Sequence, residues 1–119
     1  MSRIALFAAG LVVALALAAP IGATSSVTKL TGTVGPGFTI TLKKGTAKVK
    51  SLKAGSYKIT VNDKSNIHDF HLTGPGVNKM ITTTPFKGIK TVTVKLKKGT
   101  YRYLCDPHAS VMKGSFKVT

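Results

Sequence analysis

The sequence predicts an all-β fold, a Greek-key β-sandwich of seven or eight strands, and three observations carry that reading. From residue 24 onward apolar and polar residues alternate in short runs, with no stretch of helical period. Glycine, proline, asparagine and aspartate separate these runs at short intervals, as they do between the strands of a sandwich. The pattern Leu-Lys-x-Gly-x-Tyr occurs twice, from Leu52 to Tyr57 and from Leu96 to Tyr101, each time ahead of a strand. A tyrosine two residues after a glycine at a strand's start suits the corner where a Greek-key chain changes sheets. There the phenol hydroxyl bonds backbone slightly upstream.

The 119 residues allow one domain, and the first stretch of chain is expected to lie outside it. Arg3 precedes an apolar run over residues 4–19, and Pro20-Ile21-Gly22-Ala23 then supplies small residues where a signal peptidase cuts. Residues 1–23 are therefore read as a signal peptide. An uncleaved anchor that tethers the protein to the membrane is the alternative, because the run is of borderline length for a bilayer. No cysteine follows the run, which excludes lipid attachment of the lipoprotein kind. Residues 24–119 form the domain, large enough for a single core burying roughly 60% or more of the unfolded chain's surface. Its expected place is outside the cytoplasm, periplasmic or at the cell surface, as a monomer.

Each element has its own signal. Residues 27–34 form the first expected strand, and Gly35-Pro36-Gly37 breaks it. Residues 38–42 alternate as a strand with one buried face, Phe38, Ile40 and Leu42, followed by a turn over 43–46. Residues 48–52 are ambiguous. Tyr57, Ile59 and Val61 then share the inward face of a strand, and 62–66 form a polar loop. A strand over 67–72 would put His68, Phe70 and Leu72 on the core face and Ile67, Asp69 and His71 on the other. Gly74-Pro75-Gly76 opens what reads as a long connection through Met80 and Pro85 to about Gly88. Residues 91–96 alternate again. Tyr101, Tyr103 and Cys105 share a face in the next strand, and Phe116 and Val118 anchor the last.

Charge and cysteine usage narrow the function. The chain carries +15, and without Arg3 its 17 basic residues against Asp63, Asp69 and Asp106 leave +14. That balance favours acidic partners. It does not favour specific nucleic-acid binding, because the lysines are spread over every strand and few aromatic residues accompany them. Cys105 is the lone cysteine, so no disulfide forms within the chain, and an exported thiol calls for something that uses or protects it.

Metal ligation is one such use. The loop from Cys105 to Met112 offers a thiol, the His108 imidazole and the Met112 thioether within eight residues, a set that suits a soft, redox-active metal. Pro107 bends the chain so that His108 can point to the same centre as Cys105. His68, upstream, completes the two-imidazole, one-thiolate set with a weak axial methionine that marks a blue-copper site. Zinc is the first rival, but it seldom takes a thioether. A Cys-His nucleophile is the second, yet no residue marks an orienting third group or an oxyanion hole. Haem attachment is excluded, since it requires a second cysteine. His71 is read as a surface residue by strand alternation, and Met80 as packing under a loop. Gly35, Pro36, Gly37, Pro107 and Ala109 are candidates for a small apolar rim around His108.

With Cys105-x-x-His108, Met112, Lys113-Gly114-Ser115-Phe116 and the upstream His68-Asp69-Phe70, residues 52–119 resemble the cupredoxin family of plastocyanin, amicyanin and pseudoazurin. The resemblance implies an eight-stranded Greek-key sandwich holding one copper ion that alternates between Cu(II) and Cu(I). It implies His68, Cys105 and His108 as strong ligands and Met112 as the axial one. Three residues separate His108 from Met112, where plastocyanin-like loops usually have four and amicyanin-like loops two. Asp69 stands where the family often has asparagine, and Leu104 where plastocyanin has tyrosine. The function implied is one-electron transport between redox proteins, with an acidic partner docking near His108 and no reaction catalysed. A copper-handling protein for storage, delivery or tolerance is the alternative, and a cationic adhesion module is a third reading.

Overall fold

The structure, a computed structural model, describes residues 27–119 together with Gly10; the proposed signal segment lies outside the described residues. Among the described residues, ten strands form two five-stranded sheets. The first has the order β3 (Ala47–Lys48), β2 (Ile40–Lys44), β1 (Thr28–Val34), β5 (Gly55–Asp63), β8 (Gly88–Leu96). The second has the order β4 (Ser51–Leu52), β10 (Lys113–Val118), β9 (Gly99–Leu104), β6 (Phe70–Gly74), β7 (Val77–Thr82). Eight strands have five residues or more and two have only two, which agrees with the expected seven or eight. Among the described residues no helix is long and apolar enough to cross a membrane.

Alternation decides which face each strand buries. Leu30, Val34, Leu42, Ile59, Val61 and Leu96 from the first sheet meet Phe70, Leu72, Tyr101, Tyr103, Phe116 and Val118 from the second, all almost completely buried. Burial of such side chains is the main favourable term in folding, about 1.5–3 kcal/mol for each large aliphatic or aromatic group. In the second sheet Phe70 stacks on Tyr103 with centroids 5.6 Å apart, and Tyr101 stacks on Phe116 at 5.4 Å. Gly32, in the middle of β1, makes room for this row: a Cβ there would stand 2.9 Å from Phe70 Cε2.

Both repeated tyrosines turn corners. Tyr57 Oη donates to the carbonyl of Lys53, four residues upstream, at 2.6 Å. Tyr101 Oη donates to the carbonyl of Pro75 at 2.7 Å and accepts from the Lys97 amide at 2.9 Å. The second corner thus also ties down the β6–β7 turn. The ambiguous stretch 48–52 is the sheet change itself: β3 belongs to one sheet, β4 to the other, and Val49 between them is buried in the core.

Three expected elements differ from those observed. Residues 77–82 are strand β7 rather than open connection, because Gly74 to Gly76 makes a tight turn and β7 pairs antiparallel with β6. The alternation there is hidden, since β7 is an edge strand and Asn78, Lys79 and Met80 are exposed. Met80 accordingly lies on the surface rather than under a loop. Phe38 falls outside β2 and is 60% exposed. His68 precedes β6 instead of belonging to it, and the register shifts between Phe70 and His71. The alternation read across 67–72 therefore fails at its start: Ile67 is exposed and Asp69 buried.

Candidate metal centre

Four connections meet at one end of the sandwich: 35–39 between β1 and β2, 64–69 between β5 and β6, 83–87 between β7 and β8, and 105–112 between β9 and β10. Two of them supply the donors. His68 comes from the second connection and is fully buried. Cys105 follows β9 directly, continuing the buried face of Tyr101 and Tyr103, so the sheet fixes its direction. After it a single turn of 3₁₀ helix, Asp106–His108, with Pro107 inside it, brings His108 back over the thiol.

The loop closes on itself through backbone. The Cys105 amide donates to the Met112 carbonyl at 3.0 Å, the His108 amide to the Cys105 carbonyl at 3.0 Å, and the Met112 amide to the His108 carbonyl at 2.8 Å. A three-residue spacing between His108 and Met112 therefore gives one hydrogen-bonded turn, and Met112 ends it fully buried in the core.

His68 Nδ1 and His108 Nδ1 are 3.1 Å apart, and Cys105 Sγ lies 3.7 Å from the first and 3.6 Å from the second. His68, Cys105 and His108 thus form a group that could hold a metal ion. A point equidistant from the three atoms would lie about 2.0 Å from each, close to the bond lengths of imidazole and thiolate to a first-row metal. Two Nδ1 atoms turned toward each other and toward a thiol satisfy one another poorly as hydrogen-bonding groups, whereas a cation uses all three lone pairs. One thiolate, two imidazoles and a buried methionine close by fit copper better than zinc.

Packing, rather than hydrogen bonding, fixes the first imidazole. His68 Nε2 is buried without a partner. The ring sits against Gly35, whose φ of +74° needs glycine and whose added Cβ would come within 3.1 Å of His68 Cδ2. Phe38 covers both rings edge-on, with centroids 5.5 Å from His68 and 4.8 Å from His108. Sequence reading assigned Phe38 to the core, and the preceding Gly35-Pro36-Gly37 is the signal that could have placed it on a loop. Gly35 is buried, whereas Pro36, Gly37, Pro107 and Ala109 are exposed, and His108 is half-buried.

A chain of contacts leads outward from the thiol. The Asp69 amide donates to Cys105 Sγ at 3.4 Å, and the Asp69 carboxylate accepts from the Asp106 amide at 2.8 Å. His71 Nδ1 pairs with Asp106 Oδ1 at 3.0 Å, and its Nε2 bonds the Asn78 side chain. His71 is thus a tie between β6, β7 and the metal loop, which alternation alone did not reveal. Burial pushes the Cys105 thiol above its ordinary value, and the amides of Asp69 and His108 pull against that. Burial also raises the Asp69 carboxyl against the Asp106 amide that stabilises its charge, with the Asp106 carboxylate adding to the rise. For His71 burial works downward, but the bonds to Asp106 and Asn78 and the two nearby carboxylates outweigh it and leave the imidazole raised.

The family model for copper-binding proteins of the plastocyanin/azurin family matches residues 37–119. Among solved structures, reduced rusticyanin is similar with a TM-score of 0.55 and 23% identity, over 79% of this chain and 81% of that one. Auracyanin A, a "blue" copper protein from the green thermophilic photosynthetic bacterium Chloroflexus aurantiacus, gives 0.54 and 16%, over 79% and 100%. A heme-copper terminal oxidase dimer contributes a third, at 0.51 and 21%, over 76% of this chain and 63% of its own. At these identities the three share the fold. No curated protein sequence matches the chain.

Proposed function

Since the chain belongs to the plastocyanin/azurin family of copper-binding proteins, with copper as its metal, we propose that it is an exported blue copper protein carrying single electrons between redox partners. The reading rests on one observation above the others, the convergence of His68 Nδ1, Cys105 Sγ and His108 Nδ1 within 3.1–3.7 Å of one another. These three would be the strong donors and the Met112 thioether the weak axial one. When bound, copper stores one electron by passing between Cu(II) and Cu(I), and thiolate, thioether and imidazole together tolerate both states.

The protein's part is to keep the donors still and one edge accessible. Cys105 is fixed by β9, His108 by the hydrogen-bonded turn and His68 by packing, so little has to rearrange when the charge at the centre changes. Asp69 joins the two donor loops and gives its amide to the thiol sulfur. His108 is the half-exposed donor, and Phe38, Ile67 and Val111 are exposed apolar side chains on the three loops that converge there. A redox partner docks on that apolar ground, closest to the centre through the His108 ring. The chain's excess of positive charge makes an acidic partner the better one. No substrate is transformed. Residues 1–23 serve export, as a cleaved signal peptide or as a tether, and place the domain in the periplasm or at the cell surface.

Voltammetry of the copper-loaded protein tests the reading. A reversible one-electron wave with copper retained in both states is expected. Release of the metal on each reduction would replace electron carriage with copper handling. An intense thiolate-to-Cu(II) band, lost in Cys105→Ala and in His108→Ala, identifies two of the donors in the same preparation.

A further inference from the structure

The acidic side chains are confined to one end of the sandwich, where Lys64, Lys87 and Lys113 offset them. All three acidic residues lie at the metal end: Asp63 closes β5, Asp69 stands beside His68 and Asp106 follows Cys105. The opposite end is formed by the β2–β3, β4–β5, β6–β7 and β8–β9 connections, and it holds no acidic side chain. It carries exposed Lys44, Lys53, Lys97 and Lys98, and Lys29 and Lys95 flank it on β1 and β8. An open groove of about 610 Å³ lies at this end, lined by Lys44 and Lys53 together with the hydroxyl-bearing Thr28, Ser51 and Ser56. Ammonium and hydroxyl groups around a groove are donors for phosphate oxygens.

The chain enters the domain here as well. Thr28 opens β1 at this end, and only eight residues separate it from Ala19, the last residue of the apolar run. That length of chain reaches at most about 30 Å. Whether the run stays in a bilayer or is cut away there, this end is the part of the domain next to the lipid surface as export finishes.

We infer that the end of the sandwich opposite the metal centre is an electrostatic foot for an anionic phospholipid bilayer, with Lys44, Lys53, Lys97 and Lys98 as its contacts. Lysines within a Debye length of such a surface bind it additively. The uneven charge also sets orientation: the lysine-rich end, free of acidic side chains, faces the headgroups, and the end where three carboxylates offset the lysines faces away. A bound domain therefore keeps His108 turned to the aqueous side.

Co-sedimentation of the full copper-loaded chain with vesicles tests this. Phosphatidylcholine vesicles measure whatever the apolar run contributes, and added phosphatidylglycerol measures the foot. Tighter binding to the anionic vesicles is expected, declining as salt rises. Replacing Lys53, Lys97 and Lys98 together by Gln should weaken that increment about a hundredfold, at roughly fivefold per lysine. The matching replacement of Lys64, Lys87 and Lys113 at the metal end should weaken it far less. Equal losses from the two triple variants, or no difference between vesicle types, would overturn the inference. A soluble polyanion such as polyglutamate bound as tightly, with the same dependence on Lys53, Lys97 and Lys98, would overturn the bilayer as the occupant.

Discussion

His71 Nδ1 lies 3.0 Å from Asp106 Oδ1, so a histidine on the outer face of β6 clasps the loop that carries Cys105 and His108. The interaction is partly exposed, which limits its worth to about 0–1 kcal/mol. Its pH dependence is nonetheless specific. Burial lowers the His71 pKa, but the bonds to Asp106 and Asn78 and the neighbouring carboxylates raise it above the ordinary 6.5. A group raised on folding stabilises the native state fully below its unfolded value, and loses that contribution as pH climbs through the folded value. In copper-free protein, denaturant titrations at several pH values should show His71→Ala costing most below about pH 6 and progressively less above 7. A cost that grew with pH would contradict the clasp.

Asp69 supplies the inner link, through a carboxylate that accepts from the Asp106 amide and an amide that donates to Cys105 Sγ. Asp69→Ala removes only the first and leaves the part-buried Asp106 amide without its partner, at a cost of about 1 kcal/mol. Asp69→Asn keeps an acceptor and should lose less than half as much. Chemical unfolding of the two variants checks the order.

Phe38 covers the two imidazoles from outside the core and is itself 60% exposed. Phe38→Ala should cost less than about 1 kcal/mol in stability, since little of its surface leaves water on folding. Copper should pass to an added chelator several times faster, because the rings lose their cover. Thermal unfolding and chelator kinetics on one sample separate the two effects.

The tyrosine corners differ in what they hold. Tyr57 Oη makes one hydrogen bond to backbone, and Tyr101 Oη makes two, in a fully buried side chain. Tyr57→Phe should destabilise by about 1 kcal/mol and Tyr101→Phe by about 2. The inequality is the point of the measurement, since both substitutions remove the same atom.

Electron exchange should depend on salt according to the partner's charge. With +15 on the chain, stopped-flow rates with an acidic redox protein should fall steeply as ionic strength rises. Rates with a basic one should rise. Equal salt responses would remove charge from the choice of partner.

Most of the fold could be read from strand period and turn chemistry, because β1, β5, β8, β9 and β10 each have one buried and one solvated face. Cys105 and His108 were legible from their spacing, and Cys105 from its place on the Tyr101 and Tyr103 face. What alternation could not give lay where the backbone leaves the pleat. At 67–69 the chain is loop, so Ile67, His68 and Asp69 do not follow a two-residue period, although His68 still ends buried. β7 was missed because an edge strand exposes most of its residues and shows no clear pattern. Phe38 was misplaced, and the tie made by the surface residue His71 was missed, for a shared reason: their partners, His108 and Asp106, lie seventy and thirty-five positions further along the chain. Contacts over such separations leave no local trace.

Thr28 and Thr119 line the same groove, at the end of the sandwich furthest from Cys105. A short linker across that groove would join the last strand to the first, and new ends could be opened in the exposed Pro75-Gly76 turn of the same end. Such a circular permutant should fold to the same two sheets and take up copper unchanged, because what builds the metal end is the meeting of four loops and not the order in which they were strung.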